Sequence, residues 1–517
     1  MAFVLRLISG NSNIPGVDFV NSPPTGCKLE DGGFILSYPE RKQNWMPGGV
    51  GSDGLRLVES DFENRTAEIR FTIYAAALTD MEDLVEQIEA NIRVAVNRQV
   101  NGYGPRVELR VKLEGVADNR VTYFEVYDGY VEWPEDWWSV GQVVQNPGPG
   151  GVMMISGFVL HLTLSPFGYG VSPVNGSPVQ LPLYNPTVGS KTLNGLLVHH
   201  PFGGANRYSY VEIDGADIEG NAAGMLVLEV RRNYPKAAFA TYDPLSELWV
   251  GHSIMYDPAN YDNHPLIREF ETMILNNSGS DGFTYQVLSN NSSASPVGAR
   301  QYLRVNLSGS YTPRMWLTSL GLNPDMKGKF QVFAHSLSAF PTTASFGIYS
   351  PSYEELQRVY MRSASEPVFY SAMALNIGVL NMPAHNIPAT ENMVQHELRV
   401  VGQITTPGTP SQVDMDFLYL MPCDAGLRVY RTHEDVNDDQ NAIYYDNPWA
   451  GQTYVRTPNA NSDLDLRVQG TMEPIRLEPR YKQRLYFNFG NHSTDNAESG
   501  SIVVRAFYIP TFTMLRR

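Results

Sequence analysis

The stretch from Ala67 to Leu113 constrains the fold more than any other, because its hydrophobic period changes twice. Ala67, Ile69, Phe71 and Ile73 alternate with Glu68, Arg70 and Thr72, the period of a half-buried β-strand. Thr79-Asp80-Met81-Glu82 follows with the pattern of a capping box, in which hydroxyl and carboxylate each take a free amide at a helix start. Met81, Leu84, Val85, Ile88, Ile92, Ala95 and Val96 then recur at three- and four-residue steps, giving a helix over about 80–98 one apolar face. Past Asn101-Gly102 and Gly104-Pro105 the period returns to two, with Val107, Leu109, Val111 and Leu113 inward. The stretch reads strand, helix, strand, and holds no obvious chemistry.

No other segment signals a long helix so clearly. With 44 Gly, 35 Pro and 29 Tyr, the remainder reads as many short strands joined by turns. A length of 517 residues suggests three or four domains at the usual ~150 residues each. Hydrophobic residues at 43% against 18% charged allow a sizeable core and argue against gross disorder. A formal net charge of −16 argues against a nucleic-acid clamp, which needs clustered Lys and Arg, but suits a surface to which DNA should not adhere. The fold class is mainly β, with an N-terminal sandwich- or barrel-like domain carrying the helix.

Cys27 and Cys423 fit no metal or redox spacing and read as two buried free thiols, with a long-range disulfide as the alternative. The start, MAFVLRLISG, lacks the pattern of a signal peptide, and no run of 18 or more apolar residues exists, so a soluble protein made in the cytoplasm is expected. Gly49-Val50-Gly51-Ser52-Asp53-Gly54 matches GxGxxG, yet strand-like Leu55-Arg56-Leu57-Val58 follows where a dinucleotide site needs a helix start. The segment reads as an inter-strand loop. GxSxG, HExxH, P-loop and paired CxxC motifs are absent. His199 and His200, adjacent in a strand, point to opposite faces and do not easily share a metal. Asp414 and Asp416 share a strand face and form a candidate carboxylate pair, with a solvated strand edge as the ordinary reading. Asp435, Asn437, Asp439, Asn441 and Asp446 partly imitate a calcium loop, but Gln440 stands where its sharp turn needs Gly. A hydrated linker is favoured. No catalytic residue, metal or cofactor is assigned.

Aromatic residues are the remaining signal. Trp133, Trp137 and Trp138 lie within six residues, a pattern of interface anchors or of a sugar-stacking platform. Together with Met81, Leu84 and Ile88 they are the candidate interface residues. Tyr311, Trp316, Tyr349 and Tyr353 are the candidate glycan-stacking residues, alongside Tyr360 and Tyr370, although Tyr is also an ordinary sheet residue.

The order of parts carries a resemblance. The helical β-domain is followed by Tyr123-Phe124-Glu125-Val126 with Gly129-Tyr130-Val131, and by a strand ending Leu164-Ser165-Pro166-Phe167-Gly168. Near the end come Pro474-Ile475-Arg476-Leu477-Glu478-Pro479, Arg484-Leu485-Tyr486-Phe487 and Ile502–Pro510. This arrangement resembles the distal tail (baseplate hub) proteins of long-tailed phages, with their ring-forming first domain and galectin-like outer domain. Arg480 stands where that family's Leu-Xaa-Pro-Gly turn has Gly, and the asparagine usual in its next strand is absent. The resemblance implies a ring-forming domain over 1–170, an outer sandwich split between 171–270 and 436–517, and a jelly roll inserted at 271–435. Strands are expected at Tyr210–Gly215, Met225–Val230, Gln301–Leu307, Gly328–Ala334, Glu397–Gly402 and Asp414–Leu420.

The function so implied is structural, in the virion at the tail tip or baseplate, with no enzymatic role. Expected partners are further copies of the chain in a ring, most often sixfold, the tail tube and other tail-tip proteins. A host surface glycan is a further candidate; DNA only passes through the channel, and no membrane is engaged. A tail-tube subunit with decoration domains, a glycan-binding adhesin and a polysaccharide-cleaving enzyme are the alternatives.

Overall fold

The computed structural model describes residues 2–20, 25–47, 55–135, 152–186, 188–199, 209–232, 247–256, 266–269, 274–275, 283–290, 300–307, 317–322, 328–336, 344–349, 362–363, 374–382, 396–404, 411–431, 443–456, 464–465, 467–470, 474–489 and 501–516. Strands dominate, and they form several sheets around separate cores. The chain divides into two compact units. The first comprises Met1–Val179, Glu219–Gly224 and Ile509–Arg517; the second comprises Gln180–Ile218 and Met225–Tyr508.

The first unit contains strands β1 (Val4–Ser9), β2 (Val17–Asp18), β3 (Gly26–Leu36), β4 (Arg41–Pro47), β5 (Leu55–Phe62) and β6 (Arg65–Ala75). Helix α1 (Leu78–Asn101) and strands β7 (Val107–Lys112), β8 (Thr122–Glu132), β9 (Met153–Leu164) and β10 (Gly168–Tyr169) complete its unbroken part. The strand–helix–strand reading holds. The helix starts earlier than the capping pattern suggests: Ala77 is the N-cap, and Asp80 accepts its N–H at 3.2 Å. An alanine returns no such bond, so only half of a capping box is made. Gly102 ends the helix in the left-handed conformation (φ 75°), donating its N–H to the Arg98 carbonyl, as a C-cap glycine does.

The main sheet runs β2-β1-β7-β8-β9-β6-β3, and these neighbours all pair antiparallel. Strand β8 bends it: Thr122–Glu125 pair with β7, Val126–Glu132 pair with β9, and a bulge at Tyr127 interrupts the second pairing. A bridge between Val20 and Lys28 brings the two edges of the sheet together near their ends. The enclosed core includes Leu5, Ile69, Phe71, Ile88, Leu109, Phe124, Phe158 and Leu160, all wholly buried. Phe71 stacks on Phe158 with centroids 5.5 Å apart and meets Phe19 edge-on at 5.2 Å.

The end of the chain completes this unit. Thr511–Phe512 pairs with β10, and Arg65, itself buried, donates to the carbonyls of Pro166 and Thr513. Arg516 donates to Glu219 at 2.6 Å and to the carbonyls of Asn119, Val121 and Gly170, while its own N–H reaches Thr122 Oγ1. Arg516→Ala should therefore loosen the unit by about 2 kcal/mol. Faster hydrogen exchange in peptides spanning 118–124 and 165–171 is the expected signature; unchanged protection there would mean the clamp is idle.

The second unit opens with a two-sheet sandwich. In one sheet, Gly224–Arg232 lies between Ser501–Tyr508 and Ile443–Asn447, and Gln452–Arg456 pairs with the last. The facing sheet runs Tyr210–Ile213, Lys482–Phe489, Glu247–Met255, Gly426–Arg431, Arg467–Gly470. Val211, Leu228, Val250, Leu485, Phe487 and Val504 fill the space between them. A second pair of sheets takes the strands between Leu266 and Pro422, including Arg300–Leu307, Gly328–Ser336, His396–Ile404 and Ser411–Pro422. Trp249, Phe333, Tyr419, Met421 and Tyr486 form an aromatic-rich cluster of their own in this unit.

Candidate functional site

Strands β3, β6, β9 and β8 turn one face to the core, and the alternation of each strand puts the intervening residues on the other. Register then lines residues up across that outer face. Ile35 pairs with Glu68, Glu68 with His161, and His161 with Tyr130. The next row sets Thr66 against Thr163 and Thr163 against Asp128. These rows line a shallow groove of ≈ 320 Å³. Tyr130 and His161 stack with centroids 4.7 Å apart, and His161 Nε2 lies 3.2 Å from Glu132. Ile35 and Tyr130 are more than half exposed. Flat rings, an aliphatic side chain and carboxylates on one sheet face suit contact with another macromolecule.

The edge beside this face is open. The Ser37 N–H donates to Thr66 O, so by antiparallel alternation the backbone groups of Phe34 and Leu36 point away from β6. Among the described residues no strand takes them. Strands β4 and β5 pair with each other, from Arg41 opposite Phe62 to Pro47 opposite Leu55, and with no third described strand. Phe62 meets Phe167 edge-on at 5.0 Å and anchors the base of this hairpin. The GxGxxG segment lies at its connection, where residues 48–54 are outside the described residues; a strand, not a helix, follows it.

The residues singled out from sequence fall in different places. Met81 and Ile88 are wholly buried in the core of their own unit, and Leu84 is partly buried against it. The apolar stripe that marked them for an interface is used internally. Trp133 also turns inward, meeting Phe158 edge-on at 5.5 Å. Trp137 and Trp138 lie outside the described residues, as do Tyr311, Trp316, Tyr353, Tyr360, Tyr370 and His200; Tyr349 closes the strand Ala344–Tyr349. The exposed Ile35 and Tyr130 and the half-buried His161 were missed, because alternation alone does not say which inward-outward pattern ends on a free surface.

Two of the acidic candidates, Asp414 and Asp446, prove to be partnered. Asp414 is buried and takes a bidentate pair from Arg304, at 2.8 Å from Nε and 2.9 Å from Nη2. That replaces the solvated strand edge expected for it. Asp446, the last position of the calcium-like pattern, accepts from Arg428 at 2.9 Å, from Tyr430 at 2.7 Å and from Thr453 at 2.8 Å. Asp435, Asn437, Asp439 and Asn441 are outside the described residues. Among the described residues no group of three His, Cys, Asp or Glu is placed to hold a metal, and no helix is long and apolar enough to cross a membrane. Cys27 and Cys423 are free and buried, and burial pushes both thiols up to about 12, so neither is a thiolate at neutral pH.

No family model matches the chain, and no curated protein matches it. Among solved structures it is similar to SPP1 Dit (gp 19.1), described as a paradigm of the hub adsorption apparatus in phages infecting Gram-positive hosts. The similarity covers 48% of this chain and 70% of that one, at 10% sequence identity and a TM-score of 0.23. So low a score sets no residue of one chain on a residue of the other.

Proposed function

We propose that this chain is a structural subunit of a phage tail tip, closing with further copies of itself into a ring. The observation that carries the reading is the β4–β5 hairpin. A two-stranded hairpin is marginal in water by itself, and this one has no third strand among the described residues. The open edge at Phe34 and Leu36 is a second place where a strand of another copy adds without disturbing the ladder to β6. Strand pairing at these two edges, repeated around an axis, gives a heterologous interface that closes, sixfold by the family resemblance of the sequence. The tail tube and other tail-tip proteins would dock on the ring, and the second unit would carry neighbours or meet the host surface. An excess of negative charge lets DNA pass through the channel without adhering.

The test is the native mass of the full chain beside two variants. Leu36→Pro removes an outward-pointing amide, and a second variant replaces residues 43–60 with a short Gly-Ser turn. The expected result is a closed oligomer for the unaltered chain and smaller species for both variants, with circular dichroism showing retained β-structure. A monomer at every concentration, or an oligomer indifferent to both changes, would overturn the reading.

A further inference from the structure

Arg480 is the one non-glycine residue with positive φ among the described residues, at φ 75°. Glycine adopts that conformation freely, whereas a Cβ is crowded there by the backbone. The surrounding turn holds it fast. The Arg480 N–H donates to Gly215 O at 3.1 Å, and the approach is so close that a Cβ on Gly215 would come within 2.2 Å of Tyr481 N. On the other side the buried Gln483 donates from Nε2 to Glu478 O at 2.7 Å and to Tyr481 O at 3.3 Å, while its Oε1 accepts from Glu478 N at 2.9 Å.

This rigid turn presents an unusual set of groups. The Tyr481 ring, 40% exposed, meets the 63% exposed ring of Tyr256 edge-on, with centroids 5.0 Å apart. Glu478 lies close enough for its charge to act on the Tyr256 phenol, and desolvation pushes its own carboxyl up. Neither the Glu478 carboxylate nor the exposed Arg480 guanidinium has a hydrogen-bond or ion-pair partner among the described residues. A glycine at 480 would relieve the backbone, so strain is kept where a guanidinium is presented outward; such strain marks functional positions.

We propose that Tyr256, Tyr481, Glu478 and Arg480 form a saccharide-binding site on the second unit. Exposed tyrosine rings stack on the apolar face of a pyranose, a carboxylate accepts from vicinal hydroxyls, and a guanidinium donates to hydroxyl and ring oxygens. The fixed turn pre-organises these groups, so little ordering opposes binding. A nucleic acid is disfavoured by Glu478 and by the net charge. The proposal does not depend on ring formation, since every group belongs to one chain and one unit.

Saturation-transfer NMR on the full chain tests it, with methyl β-D-glucoside, methyl β-D-galactoside and methyl N-acetyl-β-D-glucosaminide as probes. At least one probe should receive saturation, and its affinity should fall roughly tenfold in Tyr481→Ala and in Tyr256→Ala. Tyr481→Phe, which keeps the ring, should bind within about twofold of the unaltered chain. Arg480→Gly is the decisive variant: its Tm should rise by about 2 °C while saccharide binding weakens and the oligomeric state stays unchanged. Absence of transfer to all three probes, or transfer unchanged by Tyr256→Ala, Tyr481→Ala and Arg480→Gly, would overturn the proposal.

Discussion

Asp446→Ala should cost the second unit about 3–5 kcal/mol, one of the largest effects of any single substitution in the chain. The carboxylate is nearly solvent-free and receives both nitrogens of the Arg428 fork, the Tyr430 hydroxyl and the Thr453 hydroxyl. Arg428 and Tyr430 lie on one sheet of the sandwich, Asp446 and Thr453 on the other. The network therefore ties the two sheets together. Removing the acid leaves a buried guanidinium with no compensating charge from Asp446, which is far worse than never having buried the pair. Burial and the charge of Asp446 push the Tyr430 phenol upward, so its hydroxyl remains the donor at any pH the fold survives. Urea unfolding followed by tryptophan fluorescence measures the effect. The double variant Arg428→Met with Asp446→Leu should recover most of the loss, because an apolar pair of similar volume needs no hydrogen bonds. A loss below about 1 kcal/mol for Asp446→Ala would show that Arg428 swings out to water.

That network also shows why the fold was more legible than the sites. Strand β6, helix α1 and strand β7 were readable because period two and period 3.6 are local, and the helix end needed only Gly102. The start of α1 was misplaced because Thr79 and Glu82 imitate a cap, whereas the bond made is from Ala77 to Asp80. Side-chain roles depend on partners far along the chain. Asp446 looked like the end of a calcium loop, and its meaning is set by Arg428, 18 residues back on the facing sheet. Asp414 looked like half of a carboxylate pair, and is taken by Arg304 across 110 residues. The return of Ile509–Arg517 to the first unit has no sequence signature either, since Arg516 reads as an ordinary terminal charge. Arg480 is the instructive exception. That it stands where the family the sequence resembles has glycine was visible, but that the backbone there still adopts the glycine conformation was not.

Acid should weaken the second unit through His252, in a window set by its own titration. The imidazole lies wholly buried on Glu247–Met255 and donates from Nε2 to Gln483 Oε1 at 3.0 Å. Gln483 has its Nε2 committed to Glu478 O and Tyr481 O, which fixes Oε1 as the acceptor and the imidazole as the Nε2–H tautomer. Its Nδ1 makes no well-formed hydrogen bond, and the nearby Ala425 backbone offsets only part of the burial penalty, which a neutral ring nitrogen tolerates better than a protonated one. Burial pulls the folded value down to about 4 from the ordinary 6.5. Between those limits the unfolded chain binds the proton and the folded chain refuses it, so stability falls with falling pH. Above about pH 6.5 the contribution is intact; by pH 4, where the folded imidazole is half protonated, roughly 3 kcal/mol is lost, and the loss levels off about one pH unit lower. Carboxylates titrate over part of the same range, so the measurement is a difference. Urea midpoints of the unaltered chain and His252→Gln, which keeps a donor for Gln483, should be compared from pH 7 to pH 4. The unaltered chain should lose about 3 kcal/mol more than the variant across that range. Parallel pH profiles would mean that His252 takes up its proton in the folded state as readily as in the unfolded one, and the buried, singly bonded imidazole would then have to open to water before the unit unfolds.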